Sequence, residues 1–444
     1  MIDLSPEVVT IIMLAGVLFG VLIGYPLAIP VGAIGLIMGF LLFGTGVFDM
    51  YYARLFKLIH NYVLLAVPLF VFMGVMLESS GIAERMYGAL YLWLSGLRGG
   101  LAITTVLIGT ILAACVGVIG ASVTMLALLA LPSMIKRGYS KSLASGAVCA
   151  GGTLGILIPP SIMLVVYGPM ANISVGKLFM AAFVPGFVLS SLYISYILIR
   201  CFFQAHLAPA VPIEERAVPF WKKTAMLATS LVPPGLLILA VLGSIFLGIA
   251  PPTEAAAVGA FAATLLTIAY RRFSFDTLKH TALQTLKVTS MILLIGGLSF
   301  AYVGVFIPAG GAKVVEGLIL GAPGGRWGAF AMVMFVIFLL GFFIDWIGII
   351  FIMVPIIAPI APVLEFDPLW FGMMIVINLQ MAFMTPPMAA AIFYLRGSAA
   401  PELGVTMGDI IRGVFPFVGL IMIGLGLCVA FPQLILWLPS LMIK

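Results

Sequence analysis

Ten apolar runs recur along this chain, near residues 8–24, 26–45, 62–77, 146–168, 177–199, 224–248, 254–270, 288–308, 370–395 and 410–432. A helix needs roughly 20 such residues to cross a bilayer. The runs decide the solvent first. Of the 444 residues, 64% are hydrophobic and 8% charged, against about 25% charged in a soluble domain, so the chain lacks the polar surface to dissolve as a globule. In lipid every backbone amide and carbonyl must be satisfied within the span, which favours helices. The expectation is an all-α polytopic membrane protein with about ten transmembrane helices.

Two further apolar stretches, 100–134 and 328–362, are too long for one span and too short for two. Their Gly-containing midpoints are Gly117-Val118-Ile119-Gly120-Ala121-Ser122 and Gly341-Phe342-Phe343-Ile344-Asp345-Trp346-Ile347-Gly348. Both read as re-entrant hairpins whose tips must be buried in protein or face a water-filled cavity. With ten crossings and two hairpins, Arg98, Lys136, Arg137, Lys141, Arg200, Arg216, Lys222, Lys223, Arg271, Arg272, Lys279 and Lys287 fall on one face, and Glu365 and Asp367 on the other. Lys/Arg excess marks the cytoplasm. Hairpin one then enters from the cytoplasm, hairpin two from outside, and both termini lie outside. The segment 49–60, with Arg54, Lys57 and His60, reads as an outside loop that runs against this rule, and 82–97 as an interfacial arm.

The halves repeat. Val31-Gly32-Ala33 recurs as Val258-Gly259-Ala260, Ser122 and Pro132 as Asp345 and Pro355, Pro159-Pro160 as Pro386-Pro387, and Pro185 as Pro416. An odd number of crossings separates the copies, so the second is inverted. Inverted repeats with broken helices are a transporter architecture, with binding near the midplane where the halves meet. The expected division is 1–99, scaffold with arm; 100–199, transport part of repeat one; 200–223, a polar linker holding Pro209, Pro212, Glu214, Glu215 and Pro219; 224–327, scaffold of repeat two; and 328–444, transport part of repeat two.

Other chemistries are poorly supplied. Cys115, Cys149, Cys201 and Cys428 form no CxxC pair, His60, His206 and His280 lie in charged, loop-like sequence, and there is no HExxH or GxxxxGK[ST] string. Zinc, disulfide and nucleotide-hydrolysis readings are therefore weak. The acidic start MIDLSPEVV does not read as a cleavable signal peptide.

The run Gly151-Gly152-Thr153-Leu154-Gly155-Ile156-Leu157-Ile158-Pro159-Pro160-Ser161 lies mid-span. Adjacent prolines remove two amides and clash one turn back, so the span must open into half-helices. Freed carbonyls suit a hard cation such as sodium, and half-helix N-termini can hold a carboxylate without a buried arginine. Ser122 and the carbonyls of Gly117–Ala121 complete the first set; Asn378, Gln380, Thr385 and Asp345 supply the inverted one. Asp345, deep in an apolar stretch, is a functional candidate by default; cation contact, a helix cap and a salt bridge all remain open. Thr253, with Glu254 behind it, reads as the N-cap of the span at 254.

The strings GGTLGILIPPS at 151–161, PPTEAAAVGA at 251–260 and TPP at 385–387 resemble the large membrane subunit of TRAP (tripartite ATP-independent periplasmic) transporters, the DctM-like family, over nearly the whole chain. The resemblance implies an elevator mechanism in the bacterial inner membrane, Na+ as coupling ion, a small DctQ-like membrane subunit and a periplasmic substrate-binding protein, with no nucleic-acid partner. Carried over, a first sodium site falls on Gly117, Gly120, Ser122, Gly152, Leu154, Ile156, Ile158 and Pro159, and a second on Gly341, Asp345, Met384 and Thr385. Expected substrate contacts are Ser122, Thr153, Asn378, Gln380 and Thr385. Met388-Ala389-Ala390-Ala391 departs from the Gly-containing string common after the second proline pair. The function implied is sodium-driven import of a small organic anion. A stand-alone carboxylate transporter, an intramembrane enzyme and a passive channel are the alternatives.

Overall fold

A computed structural model describes residues 2, 4–117, 119–211, 218–387 and 389–442. Val118, Pro212, Glu214, Glu215, Arg216 and Met388, named above, lie outside them. All regular elements among the described residues are helical. The first half runs α1 (Pro6–Leu22), α2 (Ala28–Phe43), α3 (Gly46–Ile59), α4 (Ala66–Ser79), α5 (Ile82–Leu94), α6 (Gly100–Val116), α7 (Ile119–Lys136), α8 (Lys141–Thr153), α9 (Ile162–Ala171) and α10 (Val175–Phe203). The second runs α11 (Phe220–Phe246), α12 (Pro252–Ala269), α13 (Phe275–Phe306), α14 (Gly311–Leu320), α15 (Gly325–Leu340), α16 (Trp346–Ile352), α17 (Val354–Ile357), α18 (Ile360–Val363), α19 (Pro368–Ala382), α20 (Ala390–Ser398), α21 (Met407–Ala430) and α22 (Gln433–Ser440).

Among the described residues seven helical segments are long and apolar enough to span, Tyr62–Ser79, α7, α10, α11, α12, α13 and α21, and α1, α2, α9, α15 and α19 are shorter apolar helices. The expected count of ten takes α1, α2 and two broken spans as crossings and α7 as a hairpin arm. The pairs α8–α9 and α19–α20 each make one broken span. The breaks sit where two prolines follow each other: α8 gives way to a 3-10 turn at Leu154–Ile156 before Pro159–Pro160, and α19 stops at Ala382 before Pro386–Pro387. Both proline–proline bonds are cis. The order of elements repeats, with α2 matching α12, α5 matching α14, hairpin α6–α7 matching α15–α18, the broken spans matching each other, and α10 matching α21.

The hairpins enter from opposite faces. The base of hairpin one is closed by the Leu101 amide donating to the Tyr139 hydroxyl at 3.2 Å. The segment after α10 is pinned there as well: Gly99 N donates to Ala208 O at 3.1 Å and Ser140 N to Leu207 O at 2.8 Å. On this face Lys141 Nζ also donates to Gly404 O at 2.7 Å, and Arg85 lies 4.4 Å from the Tyr270 ring centroid. The base of hairpin two is held by the Arg326–Glu365 pair at 3.6 Å and by Trp327 against Phe366. Its flanking Pro362 and Pro368 share a crevice with Asn61 and Asn172, at the opposite ends of their spans. The basic-rich face is the one the Lys/Arg rule assigns to the cytoplasm.

Helix packing explains the rigidity of the middle. Lipid tails are as apolar as leucine, so helices associate through close van der Waals fit rather than burial from water. Around α8 that fit reaches the backbone: a Cβ on Gly109 would stand 2.5 Å from the Gly151 carbonyl carbon, and Gly146 abuts the Gly413 carbonyl. A second group forms around α13, which packs against α2, α3, α4 and α16, while α12 packs on α4.

Three local expectations need correction. Residues 49–60 are not a loop: α3 runs Gly46–Ile59. Its inward side chains recur at helical spacing, with Val47 against Gly39, Tyr51 donating to Gly32 O at 3.2 Å and Leu55 against Gly297, while Tyr52, Phe56 and Ile59 stay exposed. Thr253 is not a cap; Pro251 holds the N-cap position and Pro252 opens α12, because proline's fixed φ suits the first turn and its missing amide costs nothing there. The tip of the first hairpin is shorter than expected: Gly117 (φ 62°) follows α6 and Ile119 already begins the return helix, so Gly120 and Ser122 are helical. Val substituted for Gly146 forces α8 and α21 apart, an overpacking cost of about 1–3 kcal/mol; the expected result is a lower thermal unfolding midpoint in detergent, and an unchanged midpoint contradicts the backbone contact.

Candidate functional site

Both hairpin tips and both helix breaks meet at one small cavity of about 80 Å³. Its wall includes Ile119, Ile162, Trp346 and Ala390. Each is the first residue of a helix, respectively α7, α9, α16 and α20. Four helix N-termini therefore converge, each with amides that have no intrahelical partner and a partial positive charge. The arrangement follows from the fold: each hairpin return arm starts at a tip and each second half-helix starts after a proline pair. Asp345, at the N-cap position of α16 with extended backbone and no side-chain capping hydrogen bond, is the charged residue of the wall. Gly117 (φ 62°) makes the first tip, and Gly120 leaves room for the Tyr394 ring, which a Cβ would meet at 3.0 Å. Val288, Met291 and Ile292 of α13 close the wall with apolar side chains.

Beside the cavity, hairpin one locks onto the first break. Pro160 O lies 3.5 Å from where a Gly117 Cβ would stand, and Ser122 Oγ 3.5 Å from a Cβ on Gly155. A Cβ on Gly152 would meet Val123 at 2.5 Å. Ser122 is 1% exposed and its hydroxyl has no hydrogen-bond partner among the described residues. The carbonyls of the break are unequal. That of Leu154 accepts the amides of Leu157 at 3.0 Å and Ile158 at 2.9 Å, and that of Ile156 accepts the Ser161 hydroxyl. At the second break, Gly341 abuts Ala382, Thr385 Oγ1 donates back to Met381 O at 2.8 Å, and Ala391 N donates to Phe383 O at 3.1 Å.

Of the residues singled out from sequence, Gly117, Gly120, Ile156 and Asp345 line the cavity. Gly152, Leu154, Ile158 and Pro159 lie at the first break and Met384 and Thr385 at the second, while Gly341 ends α15 in hairpin two and packs on Ala382 beside the second break. The five expected substrate contacts are not in its wall. Thr153 Oγ1 lies 3.1 Å from Ala150 O and 3.3 Å from Met384 Sδ, which ties the two breaks together. Asn378 Nδ2 donates to Met334 O on α15 at 2.7 Å. Gln380 is fully buried with neither amide atom partnered. Sequence reasoning missed Trp346, Tyr394 and the α13 face; the spacing of Val288, Met291 and Ile292 was legible but suits lipid or core equally.

Residues 11–434 match the model of a family described as the tripartite ATP-independent periplasmic transporter, DctM component. The chain belongs to this DctM family. It is 33% identical over 393 residues to the C4-dicarboxylate TRAP transporter large permease protein DctM of Pseudomonas aeruginosa, covering 87% of this chain and 88% of that one. It is 28% identical to the ectoine large permease protein TeaC of Halomonas elongata, covering 97% and 99%. Among solved structures, the YdaH transporter of Alcanivorax borkumensis matches with a TM-score of 0.57 at 16% identity, covering 87% and 88%, a likeness of fold. This DctM-family chain is thus a multi-pass permease whose helix breaks face one cavity. Leu substituted for Asn378 removes a buried bond to the Met334 carbonyl, which keeps its own acceptor place inside α15, so the cost is that of one net hydrogen bond, about 0.5–1.5 kcal/mol; chemical-denaturation or thermal unfolding of the purified protein should show that loss, and wild-type stability contradicts the bond.

Proposed function

We propose that this chain is the permease subunit of a sodium-coupled secondary transporter of the bacterial inner membrane. It imports a small organic anion bearing a carboxylate, received from a periplasmic substrate-binding protein, and works with a small DctQ-like membrane subunit. The observation that carries the proposal is the convergence of the first residues of α7, α9, α16 and α20 on one cavity. A helix N-terminus near a carboxylate contributes about 0.3–1 kcal/mol, more when partly buried. The cavity wall has no basic side chain, so these amides and the accompanying cations must hold the anion.

Sodium fits the same place. Ser122 presents a buried, unpartnered hydroxyl beside the first break, and the break has carbonyls outside regular helix. Asp345 supplies the negative charge a cation needs. In this proposal the carboxylate of Asp345 holds sodium near the second tip, and the bound sodium offsets the repulsion between Asp345 and the anion. Neither ligand then binds well alone, which is coupling in its simplest form. Alternating access follows from an elevator motion. Hairpins and broken helices, locked through α8 backbone contacts, slide against α13, which meets the cavity with Val288, Met291 and Ile292 and breaks no hydrogen bond there.

Voltage acts on net charge. Two sodium ions carried with a monocarboxylate move one positive charge, worth about 2.3 kcal/mol per 100 mV, or roughly 50-fold accumulation. A dicarboxylate with two sodium ions moves none and draws on the ion gradient alone. The test is uptake into proteoliposomes containing both partner proteins. Uptake should require an inward sodium gradient, and Asp345→Asn should remove most of the sodium dependence. Uptake indifferent to sodium contradicts the proposal.

A further inference from the structure

On the face opposite the basic-rich loops, a crevice of about 590 Å³ opens between α3 and α13 on one side and the outer ends of α9, hairpin two and α19 on the other. Asn61, Pro169, Asn172 and Ile173 also line an adjoining cavity of about 470 Å³, bounded by the start of α12. The charged residues of the combined lining are Arg54 and Lys57, and no carboxylate belongs to it. This is the basic pair that runs against the Lys/Arg rule, so its place needs a reason other than topology.

Arg54 is held rather than loose. Gly304 gives it room along α13, where a Cβ would stand 2.9 Å from Arg54 Cγ and Nε. Its guanidinium sits 5.3 Å from the centroid of the Phe300 ring. A ring contact orients the plane and occupies no N–H donor. No hydrogen bond or ion pair engages those donors among the described residues. Lys57 is exposed nearer the mouth. In the adjoining cavity Thr253, 5% exposed, presents a hydroxyl with no partner. An oriented fork of N–H donors with a second cation beside it suits anionic oxygens; the Thr253 hydroxyl belongs to the adjoining cavity.

We propose that this crevice is an outer reception site for the transported anion, in which Arg54 and Lys57 hold its carboxylate before it reaches the midplane cavity. The site rests on the anion-import function proposed above. Its work is capture at hand-over: once the binding protein releases the anion at this face, a basic cleft with low-dielectric walls raises its local concentration and retains it. The coupling chemistry stays with Asp345 and the helix breaks, so Arg54 and Lys57 act on apparent affinity and not on sodium dependence.

The closing experiment reads the site without needing transport. A cysteine placed at Ala171, which lines the crevice at the end of α9, is labelled in the full chain in phosphatidylcholine vesicles with anionic and cationic methanethiosulfonates, after subtracting the parent chain's background. The expected result is faster reaction with the anionic reagent. That preference should fall about tenfold in the Arg54→Gln/Lys57→Gln variant, within the range of electrostatic steering, and survive in Arg54→Lys. Acetate, succinate or pyruvate should slow labelling in Ala171→Cys alone and not when the Arg54→Gln/Lys57→Gln changes are added. An unchanged reagent preference in the double variant overturns the proposal. So does protection by added phosphatidylglycerol but by none of the carboxylates, which makes the crevice a lipid headgroup site. In the uptake assay the double variant should raise KM about tenfold and leave the sodium dependence intact; a fall in Vmax alone overturns the capture role. Sodium-independent uptake with a charge-dependent labelling preference would instead remove the coupling proposal and leave the crevice standing.

Discussion

Hydrocarbon offers no hydrogen bond to a stranded amide or carbonyl, and the rest of the structure depends on that constraint. Two proline pairs and two hairpin turns open the backbone inside apolar spans. The fold gathers all four openings in one place and wraps them in helices. Some freed groups are met by protein: Ser161 caps the Ile156 carbonyl, Leu157 and Ile158 share that of Leu154, and Ala391 reaches Phe383. The first residues of α7, α9, α16 and α20 line the cavity instead. The same irregularity that is expensive against lipid becomes a binding surface once it is enclosed.

Enclosure also sets the mechanical division. Around α8, glycines bring backbones into direct contact with α6 and α21, and Thr153 and Met384 connect the two breaks. Across the cavity, α13 contributes flexible apolar side chains. A body held together by backbone fit and met by smooth apolar contacts suits rigid displacement better than internal rearrangement. Electrostatics follow the same geometry. The midplane wall contains one carboxylate and no basic side chain, whereas the outer crevice contains two cations and no carboxylate. In the proposed import route, an anion passes from an outer site lined by two cations to an inner one that takes it together with sodium.

Much of this was legible along the chain. Apolar run lengths located the crossings, because span length is imposed by bilayer thickness. Paired prolines marked the two breaks, but the pair alone does not decide them: Pro233-Pro234 sits inside the unbroken α11. The inverted copy was visible through glycine and proline spacing, since those residues mark backbone shape directly. Failures came where side-chain direction mattered. The charges of α3 hid a helical face of Val47, Tyr51, Leu55 and Leu58, and the segment read as a loop. Asn378, Gln380 and Thr153 suited substrate by residue type, yet they point to Met334, into the core and to Met384.

The sequence by itself determined the solvent, the helical class, the two hairpin segments and the two proline-marked breaks at 159–160 and 386–387, all properties of local chain chemistry and length. Only the tertiary structure decided which groups meet: that four helix starts share a cavity with Asp345, that Ser122 is left without a partner beside Gly155, and that Arg54 and Lys57 line a crevice with no acid. Those outcomes depend on how helices distant in sequence are rotated and packed against one another, and rotation about a helix axis is set by neighbours the local sequence does not contain.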